Sequence, residues 1–165
     1  MSRDRAGTAL VLAAAHALAG ARPAAADGPV TARILVVFVE PQRFTDAKDA
    51  PGLLDELARF VREAGERYVP AGRSLEVRVT DVDLAGELEP WRGPQFESTR
   101  FMRDVYAPRI DLEFRLTDTA GTLVGEGTRS LRDPNYLTQA GRVTEDRLRH
   151  EKALLRDWLE REFAR

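Results

Sequence analysis

The chain has 165 residues, no Cys, two His and a formal charge of −2 at pH 7. The missing Cys excludes disulfides, thiolate nucleophiles, Cys-ligated zinc and iron–sulfur clusters. Acidic and basic residues are interspersed, so the chain lacks the basic footprint of a nucleic-acid binder, and no Lys/Arg-rich run suits an anionic membrane surface.

Arg3 and Arg5 give a positive start, Ala6 to Ala19 form a short apolar stretch, and Ala24-Ala25-Ala26 precede Asp27. That order is the pattern of a secretory signal peptide over residues 1–26. The stretch is too short to span a bilayer, and no stop-transfer segment follows. An uncleaved anchor is the alternative. No Cys allows lipid attachment, and Asp4 interrupts a twin-arginine pair. The expectation is a single periplasmic domain over residues 27–165, with no membrane span after cleavage. The leader holds three Arg and one Asp, which leaves the remainder at −4. His16 also lies in the leader, so His150 is the only His beyond it and a multi-His metal site cannot be built.

Residues 32–39 contain a continuous apolar run, which suits a central strand buried on both faces. Pro51-Gly52 opens a helix over residues 52–68, with Leu53, Leu57, Phe60, Val61, Ala64 and Tyr68 on its apolar face. Residues 74–84 alternate as a half-buried strand, and the alternation slips at Asp81, which predicts a bulge there. Residues 85–108 are irregular, punctuated by Gly86, Pro90, Gly93, Pro94 and Pro108. A stretch this long hides structure of its own or is functional, and a short strand or helical turn is expected within 99–106. Residues 109–117 and 122–131 form a hairpin across Asp118–Gly121. The closing helix spans 144–164, with Thr144 as N-cap, Glu145 and Asp146 in its first turn, and Leu148, Leu155, Trp158, Leu159 and Phe163 as its buried stripe. The fold expected is α+β: a single, mostly antiparallel sheet of about four to five strands with two helices packed on one face.

The densest polar constellation is Asp81-Val82-Asp83-Leu84-Ala85-Gly86-Glu87-Leu88-Glu89-Pro90-Trp91-Arg92-Gly93. Counted from Asp81, acids stand at positions one, three and nine of a calcium loop and Gly at six. Ala85 stands at five, however, and Arg92 at twelve, where a bidentate Glu is required. No metal site and no cofactor is assigned. The plainer alternative has the carboxylates cap backbone amides or pair with Arg92, Arg100 and Arg103. Asp81 with Asp83, or Glu87 with Glu89, are the pairs that a carboxylate hydrolase would use. Trp91 can stack on a ligand and Arg92 can clamp an anion, or both can pack the loop onto the core. His150, among Arg147, Arg149, Glu151 and Lys152, reads as part of a solvated face. No G-x-S-x-G elbow accompanies it, and Gly125-x-Gly127 reads as hairpin geometry. No catalytic residue is assigned.

The string Val79–Gly86 with Glu89-Pro90-Trp91-Arg92-Gly93 resembles a family of secreted proteobacterial proteins known as the domain of unknown function 3016. Phe44-Thr45-Asp46, Met102-Arg103-Asp104, Pro108–Leu112, Asp133–Tyr136 and the closing Glu151–Leu155 with Trp158 and Glu162-Phe163 fit the same pattern. The resemblance implies export and a single α+β domain, and it supplies no activity. The functional expectation is a periplasmic binding or accessory module. It would recognise an envelope protein partner or component through the 85–108 loop, with Asp81, Asp83, Glu87, Trp91 and Arg92 as candidate binding residues. A small carboxylate hydrolase, with or without a metal, and a structural envelope protein without ligand are the alternatives.

Overall fold

The computed structural model describes residues 31–47, 50–138 and 146–164. The expected leader, Thr144 and Glu145 lie outside them. Strand β1 (Arg33–Phe38) runs parallel to β2 (Ser74–Asp83), and helix α1 (Pro51–Tyr68) makes the crossover between them. Strand β5 (Arg109–Thr117) pairs antiparallel with β2, and β6 (Leu123–Arg132) pairs antiparallel with β5. The sheet order is therefore β1-β2-β5-β6. Helix α2 (Arg149–Phe163) closes the chain.

The period-two pattern of β2 and β5 sorts the sheet into two faces. Leu75, Val77, Val79, Ile110, Leu112, Phe114 and Leu116 are buried on one face. They meet Leu54, Leu57 and Val61 of α1 and Leu154, Leu155, Trp158, Leu159 and Phe163 of α2 in one core. Phe114 is the hinge of this packing, with ring centroids 5.9 Å from Trp158 and 5.6 Å from Phe163. The opposite face carries Arg78, Glu113, Arg115, Glu126 and Thr128, all exposed. This is the expected α+β sheet with two helices, and the bulge lies where the pattern slips, between Val79 and Asp81.

Three expectations are corrected. Strand β1 is an edge strand, and Leu35 is 49% exposed. An apolar run does not reveal whether a second helix layer exists to cover its far face, and none of the described residues supplies one. Helix α2 begins at Arg149, and Asp146 sits before it, accepting the Leu148 N–H at 2.9 Å. His150 is buried, as is its neighbour Glu151. The helix is rotated so that His150, Glu151, Leu154, Leu155 and Trp158 face inward, while the charged Arg147 and Arg149 that flank His150 conceal that phase in the sequence. Lys152 ties α2 to α1 through Glu56 and also holds Asp146.

The irregular stretch contains a second, two-stranded sheet. Strand β3 (Glu87–Leu88) pairs with β4 (Arg100–Phe101), within the region expected to hide structure. Two single turns, Pro90–Arg92 and Pro94–Phe96, each opened by Pro, lie between them. Among the described residues, no helix is long and apolar enough to cross a membrane.

Candidate functional site

The bulge in β2 turns Asp81 toward the loop that follows β1. Its carboxylate accepts the Thr45 N–H at 2.7 Å, the Thr45 hydroxyl at 2.8 Å and the Val82 N–H at 2.9 Å. Arg109 of β5 donates to it at 2.7 Å. Burial pulls the Asp81 carboxyl upward, but the Thr45 bonds and Arg109 outweigh it and hold the group below its ordinary value. Asp81 thus works as a staple between three segments.

Two residues on, Asp83 has a different environment. Arg109 is 3.9 Å away and shared with Asp81 and Asp111. Burial first, then the charges of Asp46, Asp81 and Glu87, push the Asp83 carboxyl above its ordinary value. Asp83, Glu87, Tyr106, Arg109 and Arg132 line a cleft of about 150 Å³, with Gly86, Val105 and Ala107 completing its wall.

Glu89 lies under the loop. It has no exposed surface. Arg92 makes a short hydrogen bond to it, Arg103 lies 3.1 Å from it, and the Tyr106 hydroxyl donates at 3.4 Å. The Arg92 bond comes first among the influences that hold Glu89 below the ordinary carboxylate range. The Arg92 guanidinium also lies 4.3 Å over the Phe101 ring. Arg92 is therefore engaged in the loop's own structure while keeping an exposed side chain.

Trp91, its neighbour, is 72% exposed. It does not pack a lid over the core. Leu88, Met102 and Val105 are the other large exposed apolar side chains of this stretch, with Val105 at 67%.

Arg100 holds the loop's root. It donates to Asp46 at 2.6 Å and to the carbonyls of Leu84, Ala85 and Gly86. Asp46 in turn accepts the Leu84 N–H at 3.0 Å, and Glu151 of α2 accepts the Ala85 N–H at 2.7 Å. Burial raises the Glu151 carboxyl above its ordinary value, and its second oxygen has no hydrogen-bond partner among the described residues. Tyr136 packs edge-on against His150, with centroids 4.9 Å apart, and donates to the Arg103 carbonyl at 2.7 Å. Burial, with Arg149 adding to it, lowers the His150 imidazole below its ordinary value.

Of the sequence candidates, Asp83 and Glu87 share a cleft, Trp91 stands outside it on the loop surface, and Asp81 and Arg92 are engaged in local structure. The expected partners sort unevenly. Arg92 and Arg103 take Glu89, whereas Arg100 takes Asp46, outside the constellation. Asp46, Arg109 and Glu151 carry no site signal in the sequence, because the register and helix phase that bring them in are tertiary facts. Among the described residues, no group of three or more His, Asp or Glu is arranged to hold a metal ion.

No curated protein matches the sequence. Solved structures similar in outline include two PelC dodecamers. One is a point-variant PelC dodecamer from Paraburkholderia phytofirmans, 15% identical, with a TM-score of 0.42 over 84% of this chain and 88% of that one. The other is a PelC dodecamer from the same organism, 17% identical, with a TM-score of 0.42 over 87% of this chain and 94% of that one. Likeness at this level transfers neither an assembly nor a role. The family model for the protein of unknown function DUF3016, by contrast, matches residues 32–161, the whole of the sheet and nearly all of both helices, and the chain belongs to that family.

Proposed function

We propose that the protein is an exported binding module of the cell envelope that recognises a partner protein through the 85–108 loop, with Trp91 as its anchor. The observation that carries this reading is the 72% exposure of Trp91 on a loop that is otherwise tightly braced. Exposing an indole costs hydrophobic free energy that burial would recover, about 25 cal/mol per Å² of apolar surface. Here the Glu89 network fixes the backbone on either side while leaving the ring outside. A rigid aromatic presented this way suits an interface anchor, since little conformational entropy is left to lose on binding.

A hydrolase that uses the carboxylates has one observation in its favour, the raised Asp83 beside Glu87 in the cleft. Against it, Asp81, which such a pair would use as its ionised base or nucleophile, has its oxygens occupied by Thr45, Val82 and Arg109, and Glu89 is buried beneath Arg92 and Arg103.

The test is affinity capture from envelope extracts with the wild type beside Trp91→Ala and Asp83→Asn. A partner retained by wild type and Asp83→Asn but lost with Trp91→Ala supports the module. Equal capture by all three, or none by the wild type, removes the anchor. Trp91→Ala isolates the ring, because it leaves Arg92 and its bond to Glu89 in place.

A further inference from the structure

We infer that the protein forms a two-fold dimer in which β6 pairs antiparallel with β6 of a second copy, centred on Arg129. Strand β6 is ten residues long and ends the sheet, and among the described residues nothing pairs with its outer edge. An edge of that length offers a ladder of unpaired N–H and C=O groups.

The side chains of β6 select the occupant. Glu126 and Arg132 project on the open face, and neither makes an ion pair or side-chain hydrogen bond among the described residues. Arg132 stands opposite Arg109 in the sheet register, a like charge already committed to Asp81 and Asp111. In an antiparallel ladder, outward-facing groups meet only when residues of the same parity are opposed. Among such self-pairings, centring on Arg129 sets Glu126 of each copy directly against Arg132 of the other, twice by symmetry. The same register opposes Thr128 and Ser130 on that face; the Ser130 hydroxyl donates to Asp111 at 2.6 Å, which leaves its oxygen to accept from the Thr128 hydroxyl of the other copy.

The helix side of β6 permits this approach. Gly127 has no side chain to oppose Leu131 of the second copy. Arg129, the residue at the centre, is folded back onto its own subunit. It donates to Glu162 at 2.8 and 2.9 Å, and its guanidinium lies 5.1 Å over the Phe114 ring. The two central Arg therefore meet with their charges already neutralised. Gly127 makes that fold-back possible, because a Cβ there would come within 2.7 Å of Arg129 Nη1. Beyond Arg132, Pro134 has no N–H and ends the ladder.

The test is sedimentation velocity of the purified protein over a concentration series, for wild type, Glu126→Arg, Arg132→Glu and the double exchange Glu126→Arg/Arg132→Glu. The wild type is expected to dimerise, each single change to weaken the dimer at least about tenfold, and the double exchange to restore it to within about threefold. Circular dichroism of each variant checks that it is folded, and the rescue by the double exchange cannot come from misfolding. A monomeric wild type at about 100 μM, singles that dimerise as the wild type does, or a double exchange as weak as the singles would each overturn the inference. Trp91→Ala is expected to leave the dimer intact, so this surface and the loop surface stand or fall separately.

Discussion

Glu151, buried in the closing helix, accepts a hydrogen bond at 2.7 Å from the backbone N–H of Ala85, at the root of the long loop. The contact joins residues 66 positions apart and makes the loop's position depend on the rotation of α2. It also uses one carboxylate oxygen and leaves the other buried without a partner among the described residues. A buried carboxylate in that state is costly to ionise.

A pH signature follows from that cost. Burial raises the Glu151 carboxyl above 4.5, its ordinary value, so the folded protein holds the proton more tightly than the unfolded chain does. Stability then falls as pH rises above about 4.5, until the raised value is passed. Glu151→Gln cannot ionise and lacks this loss. Urea midpoints measured from pH 4.5 to 8 should show the variant gaining on the wild type as pH rises. A constant difference would show that Glu151 has an ordinary carboxyl.

Arg100 is expected to be the most sensitive polar residue of the loop root. Its removal takes the cation from Asp46, leaving it the Leu84 N–H, and takes a donor from three backbone carbonyls, and hydrogen bonds to charged groups are worth about 1.5–3 kcal/mol each in favourable settings. Arg100→Ala should cost about 2–3 kcal/mol in chemical denaturation. Arg100→Lys should recover less than half of it, because an ammonium cannot span four acceptors as the planar guanidinium does. Full recovery with Lys would reduce the residue to a point charge.

Gly86 carries the sharpest backbone demand in the stretch. Its φ is +76°, and a Cβ there would lie 3.0 Å from the Phe101 carbonyl oxygen and 2.6 Å from Met102 Sδ. Gly86→Ala should destabilise by about 1–3 kcal/mol. The damage should concentrate in the β3–β4 pair, read as faster amide exchange at Arg100 and Phe101. Exchange accelerating evenly across the molecule would argue against a local strain.

The two Trp give an optical check on the placement of the loop. Trp158 is 2% exposed and Trp91 is 72% exposed. In Trp91→Phe the remaining emission should be blue-shifted and nearly resistant to iodide, while the wild type should show a quenchable fraction. Strong iodide quenching in the variant would contradict the packing of Trp158 against Phe114.

The sequence was legible where a side-chain period reports burial. The alternation of Leu75, Val77 and Val79 and of Ile110, Leu112, Phe114 and Leu116 found the sheet's inner face, and its slip found the bulge at Asp81. The stripe of Leu155, Trp158, Leu159 and Phe163 found the inner face of α2. It was illegible where the answer lies in what covers an element. Leu35 sits in an apolar run, yet none of the described residues forms a layer over its side of the sheet. His150 and Glu151 sit among charges, yet the helix phase turns them inward. The constellation from Asp81 to Arg92 was visible as a site of dense charge. Its division into staple, cleft and buried network depends on Thr45, Asp46 and Arg109, which approach through register and loop path.

Strands β2 and β5 are neighbours in the sheet, so residues 84–108 amount to an oversized hairpin connection whose two ends the core already holds together. Closing such a connection costs entropy only as the logarithm of its length, with each doubling adding about 0.6 kcal/mol. The core therefore exerts little thermodynamic pull on how long this stretch is or what its tip presents. Only the root, gripped by Arg100, Asp46 and Glu151, is obliged to keep its form. In this fold the surface beyond that root is where new recognition chemistry can be tried by insertion or exchange without unsettling the sheet and its two helices.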